Sequence, residues 1–346
     1  DNDLLLDGAE TDTGIFVNEN DAGTDPLEAD TDADGFIDGL EISLGTDPLD
    51  ITDTPTQKLL ASDGQTHDYF GSSVSIDGDT MAIGAYGVGG NAQNTGAVYV
   101  FTFINDRWVE QAKLTVSDPY YFENFGSSVS MDGDSLIVGA NGNDENGSYS
   151  GAAYVFVREN NSWTERAKLM ASDGAPGDYF GISVSIDGDT AVIGAYGDED
   201  GGSDSGAAYV FFRDGSGWIE QAKLISHGQL REGDKFGEHV SIDGDTIVVG
   251  APGDVIDYGA AYVFTRNNGL WSEQGYLRGS DPYNIKHFGQ SVAIDGDTIA
   301  VGASDNDNYS GTTGFVYVFT RNNEQWTQHA KLSAGTPKPN DKFGWE

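Results

Sequence analysis

The chain has 346 residues, no cysteine, and 57 acidic against 17 basic residues, for a formal net charge of −40 at pH 7. That balance argues against nucleic acid and anionic membrane surfaces, which need clustered Lys and Arg, and it favours cations as partners. Disulfide staples and thiolate metal sites are excluded, and no apolar run in the sequence is long enough to insert as a membrane helix.

Residues 1–50 are Asp-rich, loop-like and poor in β-branched residues, and are expected to form a small calcium-binding segment. The stretch "DTDADGFIDGLE" places Asp30, Asp32 and Asp34 at positions 1, 3 and 5 of a loop, Gly35 at 6, Asp38 at 9 and Glu41 at 12. This spacing matches the twelve-residue Ca²⁺ loop pattern D-x-[DN]-x-[DN]-G-x₅-E. Alternate residues of a tight loop point inward, Gly35 allows the sharp bend, Phe36 offers its carbonyl, and Glu41 closes the shell with both oxygens. The opening "DNDLLLDGAE" repeats the second half of the motif, with Asp1, Asp3, Asp7 and Glu10 aligned to Asp32, Asp34, Asp38 and Glu41. Leu4 stands at the bend. The chain is therefore expected to begin inside a repeat, so the lack of a leader says nothing about secretion. The polar stretch "ITDTPTQ", 51–57, reads as a linker.

From residue 58 onward internal repetition dominates. Phe-Gly pairs begin at Phe70, Phe125, Phe180, Phe236, Phe288 and Phe343, and Trp108, Trp163, Trp218, Trp271 and Trp326 keep the same beat. Each unit predicts four short strands, in the first unit "FGSSVSI", "TMAIGA", "GAVYVF" and "WVEQAKL", rich in Val, Ile, Tyr and Phe and bounded by Gly, Asp and Ser. Four strands per unit in tandem indicate an all-β chain of β-propeller blades, five complete and a sixth begun at "KFGWE". Small residues in the early strands and aromatic ones later match the taper of a blade, so the Trp and Tyr-Val-Phe series is expected to pack between blades. Residues 57–60, "QKLL", resemble the fourth-strand ending "QAKL" and predict a leading outer strand. Two arrangements stay open: a ring of at least six blades, or five blades closing alone with both tails free for a neighbour.

"FG", then "GA" or "GAP" (Gly250-Ala251-Pro252), then "GAAYVF" resembles the FG-GAP repeat, the blade of integrin α-subunit propellers and of many bacterial surface proteins. The flanks "GTDPLEAD" and "GTDPLD" around the acidic loop resemble thrombospondin type 3 calcium-binding repeats. Calcium-bearing blades of the first family carry a long Asp-rich loop between their FG and GAP segments. Here that place holds only "IDGDT" or a relative, five times over. One short turn cannot supply the six to eight oxygens that Ca²⁺ takes, so these copies are read as hairpin turns of type I′.

The resemblance further implies a ligand-facing side of the propeller, built from the loops between second and third strands and between successive units. There Asp144 and Glu145, then Asp198, Glu199, Asp200 and Asp204, and finally Asp305 and Asp307 are candidate metal or ligand groups. Tyr120, Tyr121 and Phe122 are a candidate contact patch. The five histidines occupy non-equivalent positions and no catalytic motif is present. The expected function is non-enzymatic: an extracellular, Ca²⁺-binding adhesion module whose loop face binds a protein or glycan on a cell surface or in matrix. The alternatives are a structural subunit assembling with copies of itself, and a non-catalytic appendage of a secreted enzyme.

Overall fold

The computed structural model describes residues 57–89, 94–105, 107–119, 122–226, 231–254, 258–280, 287–304, 314–336 and 342–345, together with Asp30, Thr31, Asp38, Glu41, Ile42, Pro48 and Leu49. The chain divides into two units, Asp1–Leu60 with Thr102–Val109, and Ala61–Phe101 with Glu110–Glu346. In the first unit Asp38 and Glu41 are fully buried. The Asp38 carboxylate accepts from Thr31 N at 2.8 Å and Thr31 Oγ1 at 2.6 Å. Residues 57–60 form no strand, against the expectation for "QKLL". The Gln57 side chain instead imitates a strand pair, donating to Trp108 O at 2.7 Å and accepting from Trp108 N at 2.8 Å.

Among the described residues, twenty strands form five four-stranded meanders. The first blade holds β1 (Val74–Asp77), β2 (Thr80–Ala85), β3 (Ala97–Ile104) and β4 (Arg107–Leu114). The second holds β5 (Ser128–Asp132), β6 (Ser135–Ala140), β7 (Ala152–Glu159) and β8 (Ser162–Leu169). In the third are β9 (Val184–Asp187), β10 (Thr190–Ala195), β11 (Ala207–Asp214) and β12 (Gly217–Leu224). The fourth has β13 (Val240–Asp243), β14 (Thr246–Ala251), β15 (Ala260–Asn267) and β16 (Leu270–Leu277), and the fifth β17 (Phe288–Asp295), β18 (Thr298–Ala303), β19 (Phe315–Asn322) and β20 (Gln325–Leu332). The innermost strands β1, β5, β9, β13 and β17 touch in series. Residues on or beside all five line one cavity of about 410 Å³, where Ser73, Ser128 and Ser183 meet His239.

The core lies between blades. Ala82, Val98 and Val100 of the first blade share one cluster with Val129, Met131, Leu136, Val138, Tyr154 and Phe156 of the second, and Trp163 packs against it. Trp218, Trp271 and Trp326 take the same place in the later interfaces, as the repeat predicted.

The two glycine motifs are halves of one lock. Gly126, of a Phe-Gly pair, donates its N–H to Gly139 O of the Gly-Ala pair in the same blade at 3.0 Å. A Cβ on Gly139 would meet Gly181 O of the next blade at 2.0 Å, so only glycine fits there. Phe125 is wholly buried and packs edge-on against Tyr154 and tilted against Phe156, at 5.7 and 5.8 Å.

The Asp-Gly-Asp copies are hairpin turns, with Asp77 paired to Thr80 and Asp187 to Thr190. Their type differs from the expectation. Gly78, Gly133, Gly188, Gly244 and Gly296 have φ between 53° and 56°, while the aspartates that follow do not enter the left-handed region. Positive φ at the first central residue alone is the type II′ signature. Type I′ geometry occurs at the opposite hairpin of the sheet, as in Asn160–Asn161 (49° and 60°) and Asn268–Gly269 (50° and 80°).

The acids of these turns are engaged in blade contacts. The first aspartate accepts the turn glycine N–H of the next blade, Asp77 from Gly133, Asp132 from Gly188, Asp187 from Gly244 and Asp243 from Gly296, at 2.5–2.7 Å. The second pairs with an arginine of its own third strand, Asp134 with Arg158, Asp189 with Arg213, Asp245 with Arg266 and Asp297 with Arg321, at 2.6–2.7 Å. Each of these arginines lies over the tryptophan of its own blade, 5.0–5.5 Å from the ring centre.

Candidate functional site

At the other end of each sheet, the loop leaving the second strand and the loop entering the blade converge on the C-terminal end of the outer strand. In the third blade this gathers Asp173, Asp198 and Asp200, whose carboxylate oxygens lie within 4.8 Å of one another. Two of the acids anticipated as a cation group, Asp198 and Asp200, are thus brought together, while Glu199 and Asp204 stay outside the group.

The oxygen chemistry suits a hard cation, but a cation is already supplied by the chain. Lys223 Nζ lies 2.8 Å from Asp173, 2.8 Å from Asp198 and 2.7 Å from Asp200. The Tyr209 hydroxyl donates toward Asp173 Oδ1 and Asp198 Oδ2, both at 2.8 Å. Burial by itself would lower the Lys223 pKa, and the three carboxylates more than offset it, so the ammonium is held well above its ordinary range. Burial and the neighbouring Asp198 push the Tyr209 phenol up as well. Burial tends to raise Asp173, but Lys223 and Tyr209 hold it below the usual carboxylate value.

The same device recurs with changes. In the first blade Tyr99 donates to Asp63 at 2.7 Å and Lys113 pairs with it at 2.6 Å. In the second, Lys168 bridges Asp118 at 3.0 Å and Glu145 at 2.6 Å, while Tyr154 donates to Glu123. Asp144 serves a turn by accepting Tyr149 N at 2.7 Å. In the fourth blade Tyr276 replaces the lysine, and with Tyr262 it donates to Asp254 at 3.1 and 2.8 Å. Sequence reasoning missed Tyr99, Tyr154, Tyr209 and the lysines, which it read only as strand residues. A signal was available: "SD" entering a blade recurs with "AKL" at its outer strand, and where His227 replaces the Asp, Tyr276 replaces the Lys.

The loop end also carries an aromatic strip across two blades. Tyr149, 42% exposed, lies 5.4 Å from Tyr179, which stacks on Tyr196 at 5.1 Å and 6°. Lys235 of the next blade covers Tyr196 from 5.5 Å. Phe122 is 52% exposed. Tyr120, Tyr121, Asp305 and Asp307 lie outside the described residues, as do Asp1, Asp3, Asp7, Glu10, Asp32, Asp34 and Phe36.

The FG-GAP repeat family model matches residues 54–101, 108–156, 163–211, 218–264 and 271–319, together more than half of the chain. The four later windows each take the outer strand of one sheet with the first three strands of the next, so the sequence repeat is offset by one strand from the blade. The crystal structure of Saccharomyces cerevisiae Sqt1 is similar at 10% identity and a TM-score of 0.46, over 78% of this chain and 64% of that one; this chain thus spans less than two-thirds of its length. No curated protein matches the chain. With five matched repeats laid on five meander sheets, each locked by its Phe-Gly and Gly-Ala glycines, the chain belongs to the FG-GAP repeat family.

Proposed function

We propose that this chain is an extracellular, Ca²⁺-binding recognition module that binds a protein or glycan partner on the loop face of its propeller, by binding and not turnover. The observation that carries this reading is the partly exposed strip Tyr149–Tyr179–Tyr196, mounted on strands whose cores are fully packed. Stacked, amphipathic rings on a rigid scaffold give contact area at little cost in conformational entropy, and suit sugar faces and side chains of a partner alike. The test is retention of the chain on surface-protein and glycan arrays. Tyr149→Ala and Tyr179→Ala together should weaken the best partner at least ~10-fold, since each ring in a contact is worth about 1 kcal/mol or more. Unchanged binding in the double variant would refute the assignment of this face.

Ca²⁺ belongs in this reading to the 30–41 loop. Asp38 and Glu41 face inward, where the twelve-residue pattern requires its ninth and twelfth ligands. Calorimetric titration of Asp32→Asn with Glu41→Gln should lose the tightest Ca²⁺ site. If that site persists, calcium is held elsewhere.

A second reading, a subunit of an extracellular filament or sheath, is favoured by β1. Val74 and Ile76 are each 56% exposed, whereas their counterparts Val129 and Met131 are 9% and 7% exposed. Polymers visible by electron microscopy and dispersed by a chelator would favour it over a monomeric adhesin.

A further inference from the structure

The residue that follows the second strand decides what fills the gap between neighbouring blades on the loop face. In the first and third blades it is Tyr86 and Tyr196. Tyr86 stacks on Tyr69 at 4.8 Å and 8°, and Tyr196 lies between Tyr179 of its own blade and Lys235 of the next. Tyr69, Tyr179, Lys235 and His287 all hold the position just before a Phe-Gly pair, each with φ between 54° and 58°. In the second blade the gap is closed by Asn141, which accepts from Asn124 at 3.2 Å.

In the fourth blade the residue is Pro252, and the ring is missing. What remains is a pocket of about 220 Å³ lined by Lys235, Glu238, Pro252, His287, Gln290 and Trp345. Lys235 and His287 flank it as Tyr179 and Lys235 flank Tyr196. Glu238, at a place held by Ser72, Ser127 and Ile182 in the first three blades, contributes a shielded Oε2 that has no hydrogen-bond partner among the described residues. Lys235 Nζ is 3.8 Å from it, beyond hydrogen-bond reach. Burial pushes the Glu238 carboxyl up, with Lys235 and His287 pulling the other way. Trp345 is 43% exposed at the rim.

We propose that this pocket receives an aromatic side chain, a tyrosine above all, carried by a partner polypeptide on the loop face. The incoming ring takes the place that Tyr196 fills one blade earlier, under the Lys235 ammonium and beside the His287 ring. Its phenolic hydroxyl donates to the carboxyl of Glu238. The inference rests on the loop-face reading above and specifies one contact within it.

The experiment uses the tripeptides Gly-Tyr-Gly, Gly-Phe-Gly and Gly-Leu-Gly as probes, titrated against the full chain and followed by NMR. Gly-Tyr-Gly should bind saturably and about 10-fold more tightly than Gly-Leu-Gly, the scale of one cation–π contact with one hydrogen bond. Pro252→Tyr should abolish binding, because its own ring fills the slot; tyrosine at this position is native to two other blades, and an unchanged melting temperature confirms the fold. Glu238→Leu should remove the preference for Gly-Tyr-Gly over Gly-Phe-Gly while leaving Gly-Phe-Gly bound. Equal binding of the three peptides, no binding, or binding that survives Pro252→Tyr overturns the proposal. Such a failure leaves the loop-face reading standing, since that is tested through Tyr149 and Tyr179, outside this pocket.

Discussion

Lys223 on β12 sets its ammonium 2.8 Å from Asp198 Oδ2 on the loop after β10, among three carboxylates whose oxygens lie within 4.8 Å of one another. Asp198 has only 5% of its side chain exposed and depends on that charge, whereas Asp200, at 69%, gains little from it. Lys223→Gln should therefore cost about 2 kcal/mol, below the value for a fully buried pair because two of the acids reach solvent. Removing the ammonium also frees the oxygens for a divalent ion. Thermal melts with Ca²⁺ and with chelator check both effects: the variant should gain more from Ca²⁺ than the parent, and an equal response in the two proteins would show that Lys223 does not occupy a cation's place.

Acid should weaken the propeller through His239. Burial holds this imidazole at about 4, with no carboxylate among the residues lining the axial cavity. The folded-state value lies below the unfolded one of about 6.5, so the unfolded chain binds the proton first and stability falls as pH drops from 6.5 toward 4. Between pH 7 and 5 the loss should be about 1–2 kcal/mol, allowing for the partial exposure of the ring. His239→Ser, the residue at this position in the other four blades, should flatten that part of the profile, read as the urea midpoint at the two pH values.

Two glycines six residues apart should respond very differently to alanine. Gly194 would place a Cβ 1.9 Å from Gly237 O, backbone against backbone, so Gly194→Ala should cost more than about 4 kcal/mol or prevent folding. Gly188 has open space around it and only its φ of 56° to satisfy, so Gly188→Ala should cost about 1–2 kcal/mol. Denaturant unfolding of the pair decides whether close approach or backbone conformation dominates.

Glu324 stands at φ 65° in the outer hairpin of the fifth blade, where the fourth blade has Gly269 and the second Asn161. Glu324→Gly relieves that strain on an exposed turn and should raise stability by up to about 1 kcal/mol. A lower melting temperature would mean that the glutamate makes a contact worth more than the strain.

The strands and blades were legible in the sequence because they follow from local rules. Alternation of Val, Ile and Tyr, glycine beside phenylalanine, and a turn after each Ile-Asp needed no knowledge of neighbours. The candidate site was legible only in part: Asp198 and Asp200 were grouped with Glu199 and Asp204, yet Asp173 and Lys223, 25 residues on either side of Asp198, were not joined to them. The turn type was misread because Asp-Gly suggests type I′, whereas here the glycine takes the first central position and Asp the second.

Repeat length, strand order and the recurrence of the Phe-Gly and Gly-Ala pairs are legible in the sequence alone, since each unit must bury the same faces against the next. The roles of the acids are not. Asp77 meets Gly133, 56 residues on, only because neighbouring blades stack in register, and Lys223 meets Asp173, 50 residues back, only because the loop entering a blade folds against that blade's own outer strand. Stacking joins four of the five Asp-Gly-Asp hairpins to the next blade and leaves a ring-sized gap where Pro252 replaces tyrosine, while within the third blade a lysine neutralises an acidic cluster.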